Sequence, residues 1–65
     1  MFSHILRFAP MFVPELGYVI LDRKEHMLVR NPKHFDQTLR FPGIGALDYC
    51  QGECDRMNAT ERLTA

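Results

Sequence analysis

Cys50 and Cys54, in the stretch "DYCQGEC" at 48–54, are the residues of this chain best suited to chemistry. The histidines His4, His26 and His34 are the other candidate ligands or bases. Structural zinc wants four ligands, usually cysteine and histidine at short regular spacings. Cys50, Cys54, His26 and His34 would make four, but the histidines lack that spacing and there is no second cysteine pair. A disulfide is also disfavoured. Side chains at i and i+4 of a helix stand about 5–6 Å apart at Cβ, and the bridge needs roughly 3.5–4.5 Å. A nucleophilic cysteine needs a base and a cleft, and 65 residues leave little room for a pocket of several hundred Å³ beside a core. The pair is therefore read as two reduced, buried side chains that behave as small hydrophobes. No metal, cofactor or catalytic residue is expected, and the chain is not read as an enzyme.

Other short patterns carry less. "PGIGAL" at 42–47 is too short for a phosphate loop and has no lysine, so it reads as a turn into a helix. "NAT" at 58–60 fits a glycosylation acceptor and matters only in a secreted chain. Arg23, Lys24, Arg30, Lys33 and Arg40 gather in the middle of the chain against Glu25 and Asp36. On a sheet they could meet nucleic acid.

The elements that would position these residues follow from periodicity. Phe2, Ile5, Leu6 and Ala9 fall at helical spacing, so 1–14 is an apolar segment that opens as a short helix or an extended arm. Pro10 stops a helix there, and Met11–Val13 between Pro10 and Pro14 reads as a connector or edge strand. "GYVILD" at 17–22 and "HMLVR" at 26–30 read as a hairpin, and Asn31-Pro32 as the next turn. Residues 35–41 alternate, with Phe35, Leu39 and Phe41 on one face. Leu47, Cys50, Cys54 and Met57, widened by Ala46 and Tyr49, make one stripe of a helix over 46–57. Asn58 ends it, and 58–65 is a tail. The fold class is α+β: a three-stranded antiparallel meander over 17–41 with a C-terminal helix on one face. The whole of 1–65 is one small domain. The core pairs the helix stripe with Phe35, Leu39 and Phe41.

Element order, together with the "RNP" turn at Arg30–Pro32, is similar to that of the small sheet-plus-helix DNA-binding domains of phage integrases. That resemblance implies a sheet face entering a major groove.

Size and composition point elsewhere. Eight basic residues balance eight acidic ones, so there is no global attraction to phosphate and little colloidal repulsion. The chain is 46% apolar, with five phenylalanines and four methionines. A domain of this size hides only about 60% of its unfolded surface, so some large side chains are left outside, where apolar patches mark interfaces. The expected function is binding of a larger protein partner, as an inhibitor or adaptor, or of a second copy as a homodimer. Phe2, Phe8, Met11 and Phe12, with Met1, are the expected contact residues. A basic nucleic-acid-binding face of Arg23, Lys24, Arg30, Lys33 and Arg40 is the alternative. The N-terminus is a poor signal peptide, and no apolar run reaches the ~18 residues of a membrane span. The expected setting is the cytoplasm, as a phage-encoded or bacterial accessory protein.

Overall fold

The structure, a computed structural model, describes residues 6–64, with side chains for 6–61. Among these residues six strands precede one helix: β1 (Phe8–Val13), β2 (Gly17–Asp22), β3 (Met27–Leu28), β4 (Arg30–Asn31), β5 (His34–Thr38), β6 (Arg40–Phe41) and α1 (Ala46–Thr64). The expected antiparallel sheet with a C-terminal helix on one face is present. Its strands are divided differently from a three-stranded meander.

β2 is the centre. On one side it pairs antiparallel with β1 from Phe8↔Asp22 to Val13↔Gly17. On the other it pairs with two separate pieces, β3 at Leu21↔Leu28 and β6 at Tyr18↔Phe41. The Val29 N–H donates to the Ile20 carbonyl at 2.9 Å and the Leu39 N–H to the Val29 carbonyl at 2.9 Å. β3 and β6 thus form one interrupted strand beside β2, with the β4–β5 hairpin inserted between them as an arm. That arm is bulged. Arg30↔Thr38 and Asn31↔His34 pair, which leaves Phe35, Asp36 and Gln37 without partners on β4. All of His34–Gln37 is exposed.

Of the two N-terminal readings, the described part takes the extended one: Phe8–Val13 is an edge strand, as read for Met11–Val13, and it starts before Pro10; Phe2 and Ile5 of the helical spacing lie outside the described residues. Pro10 is tolerated because β1 lies at the sheet edge. The turn between β2 and β3 is built by Asp22, whose Oδ1 accepts the N–H groups of Lys24 at 3.0 Å and Glu25 at 3.2 Å. His26 closes it in the left-handed region at φ 56°, which turns residues of this kind adopt at some steric cost. His26 therefore ends a turn instead of opening a strand.

The core lies between α1 and one sheet face. Phe8, Ile20, Cys50 and Cys54 are its buried centre, with Tyr18, Val29, Leu39, Phe41 and Met57 packed around them. Leu39 and Phe41 take their expected places. Phe35, 75% exposed, does not, because the bulge turns it away from the sheet. Leu47 and Tyr49 also lie outside, at 46% and 75% exposure. The buried line of the helix is Ala46, Cys50, Cys54 and Asn58, a run at i, i+4, i+8 and i+12 that Asn58 continues instead of ending.

Candidate functional site: the sheet face opposite the helix

Alternation along paired strands decides which side chains meet the helix. Phe8 and Ile20 face it. In the same register Ala9, Met11 and Val13 of β1, Val19 and Leu21 of β2, Leu28 of β3 and Arg40 of β6 face the other way. Apart from Arg40, that second face is apolar. The helix α1 lies against the opposite face. Val19, flanked across the ladder by Met11 and Arg40, is fully shielded. Met11 is 40% exposed, and Ala9, Val13, Leu21 and Leu28 are half-buried. Arg40 is exposed and its Nε donates to the Leu16 carbonyl at 3.1 Å. Arg30 follows Val29 on the arm and donates to the Phe35 carbonyl at 3.5 Å. Among the described residues neither arginine is ion-paired with a carboxylate.

The sheet edge beyond β1 is closed to a further strand. The Asn58 side chain reaches from α1 to accept the Phe8 N–H at 2.9 Å and to donate to the Phe8 carbonyl at 2.9 Å. These groups point away from β2, and by antiparallel alternation so do those of Pro10 and Phe12. Pro10 has no N–H to offer. Between Phe8 and Pro14 only Phe12 keeps an open outward donor, which is too little for β-augmentation. Asn58 is 5% exposed, so the "NAT" pattern offers no accessible acceptor in the folded chain.

A clasp fixes the beginning of β1. Arg7 holds both Asp22 oxygens at 2.9 Å and Glu61 at 2.9 Å, and its guanidinium stacks 4.9 Å over the Phe8 ring. The hydrogen bonds from Arg7 pull the Asp22 carboxyl below its ordinary value, against the opposing effect of burial. A shallow pocket of about 200 Å³ beside the clasp is lined by Phe8, Arg56, Met57, Thr60 and Glu61. Neither a cysteine nor a histidine lines it.

The cysteines are free and fully buried. Cys50 Sγ donates to the Val19 carbonyl at 3.4 Å. Burial raises the Cys50 thiol and, with the neighbouring Cys50, pushes Cys54 up to about 12. Burial that disfavours the thiolate makes a cysteine a poor nucleophile. His26 is exposed on a turn and His34 at the start of β5. Among the described residues no group of three or more His, Cys, Asp or Glu is placed to hold a metal.

The other sequence-derived contact residues separate. Met11 and Phe12 are exposed, at 40% and 58%, but on opposite sheet faces, with Phe12 set edge-on to Tyr18 at 5.2 Å. Phe8 is in the core, 9% exposed, and cannot form a contact surface. Met1 and Phe2 lie outside the described residues. The basic residues do not share one face. Arg23, bonded to the Leu6 carbonyl, and Lys24 occupy the β2–β3 turn; Arg30 and Lys33 are on the arm; Arg40 is on the apolar face. Leu21 and Leu28 were not singled out from the sequence. The signal for Leu21 is the unbroken apolar run "YVIL" at 18–21, which a strand with only one apolar face does not require.

No family model, curated protein or solved structure matches the chain. Among the described residues no helix is long and apolar enough to cross a membrane.

Proposed function

We propose that this chain is a small non-enzymatic protein-binding module, an adaptor or inhibitor of a larger partner. Its binding surface is the apolar sheet face opposite α1. The observation that carries this reading is that Ala9, Met11, Val13, Leu21 and Leu28 surround the buried Val19 on the face that α1 does not cover, with Met11 exposed and the others half-buried. An apolar face of this kind is stabilised by covering it. The blocked β1 edge turns the reading away from dimers that pair through β1. A cytoplasmic setting, where thiols stay reduced, suits the two unbridged cysteines.

The β4–β5 arm, with Arg30 and Lys33, favours a second reading. A two-stranded ribbon fits a major groove. The two readings separate in one capture experiment, with wild type, Met11→Asp and Lys33→Ala as baits at low and moderate salt. A protein retained at moderate salt and lost with Met11→Asp supports the first reading. Recovery of nucleic acid that vanishes at moderate salt and with Lys33→Ala would replace it with the second.

A further inference from the structure

We infer that the Asn58 carboxamide is a built-in edge guard: it takes up the strand-pairing groups of Phe8 in place of a neighbouring backbone and, with Pro10, keeps a second copy of this chain from joining through β1. The inference concerns the sheet edge and stands independently of the proposed binding face.

A carboxamide carries the same kinds of donor and acceptor as a peptide group. Asn58 uses both on one residue. Its Oδ1 accepts the Phe8 N–H at 2.9 Å and its Nδ2 donates to the Phe8 carbonyl at 2.9 Å. Two residues in a hydrogen-bonded antiparallel pair exchange the same two bonds. Asn58 therefore stands where a residue of the next strand would stand, and it is held there at 5% exposure. The helix itself does not call for asparagine at this point. Asn58 lies inside α1 and continues the buried row of Ala46, Cys50 and Cys54, whose other members are small and apolar. Asparagine is among the weaker residues for a helix interior. The role that suits it here is at the strand.

β1 is an edge strand, and among the described residues no strand pairs with its outer side. The outward groups belong to Phe8, Pro10 and Phe12. An unpaired edge of this kind is a template for another chain. A twofold pair of β1 strands centred on Pro10 would use all of it, with Phe8 of each copy opposite Phe12 of the other. In that register every bond is forestalled. Asn58 already holds both groups of Phe8, and proline has no N–H to exchange.

Sedimentation across a dilution series compares the full chain with Asn58→Ala, Pro10→Val and the double variant, each checked for folding by a thermal melt. The double variant is expected to self-associate at least about tenfold more tightly than wild type. Adding Phe12→Pro, which removes the last outward donor, is expected to abolish that gain, and adding Phe12→Ala to keep it. A folded double variant that associates no more than wild type overturns the inference. A gain that survives Phe12→Pro, or that is lost with Phe12→Ala, places the contact elsewhere and overturns it as well. Amide hydrogen exchange on the wild-type chain tests the guard without any substitution. The Phe8 N–H is expected to exchange at least about a hundredfold more slowly than the Phe12 N–H. Equal exchange at the two amides would overturn the inference whether or not the variants fold.

Discussion

Asp22 shows how one side chain can fix three parts of a small fold. Its carboxylate builds the β2–β3 turn, holds Arg7 and so ties β2 to the clasp that reaches Glu61 on α1. Because its folded pKa lies below the ordinary 3.8, its contribution is complete above the ordinary carboxylate range. It is lost as pH falls through the depressed folded value. Denaturant midpoints measured from pH 7 down to pH 2 are expected to fall below about pH 4, and to fall less in Asp22→Asn, which starts from a lower plateau. Identical acid slopes in the two proteins would refute the assignment. The sequence marks Asp22 only as the end of a strand, since its partner Arg7 is 15 positions away. The cysteine pair was more legible. Spacing alone put both sulfurs on one apolar stripe, and both are in the core.

The single helix shows where local signals stop. Its start at Ala46 follows the glycines of "PGIG", of which Gly43 and Gly45 take φ of 91° and 79°. From the sequence Asn58 reads as its end, and asparagine does compete for backbone hydrogen bonds in many contexts. Here those bonds go to Phe8, 50 positions away, and the helix runs on to Thr64. Periodicity likewise took Leu47 and Tyr49 for core because the sheet is too narrow to reach beyond the line of Ala46, Cys50 and Cys54. Gly52 sits at an exposed position of α1, and a Cβ added there would meet nothing within 4 Å. Gly52→Ala is therefore expected to stabilise the protein by about 1 kcal/mol, read as an increase of several degrees in Tm. An unchanged or lower Tm would mean that this turn of the helix is not regular.

At the scale of the molecule, α+β class, the central strand and the helix could be read from alternation and apolar stripes. The interrupted strand beside β2 could not, because one continuous pattern, "HFDQTLRF" at 34–41, serves both an exposed bulged arm and a core strand. The two-faced character of β2 was visible only as "YVIL" and becomes interpretable once the single helix is seen to cover one side. The central claim is that the helix side carries the main core and that the second face, apart from the buried Val19, is left for a partner. Equilibrium denaturation of Ile20→Thr, Met11→Thr and Leu21→Thr tests it most directly, since threonine keeps β-propensity while removing apolar burial. Ile20→Thr, on the helix side, is predicted to cost about 3 kcal/mol, and Met11→Thr and Leu21→Thr about 1 kcal/mol or less each. Losses at Met11 and Leu21 equal to that at Ile20 would contradict the account, because the second face would then be core in the free chain.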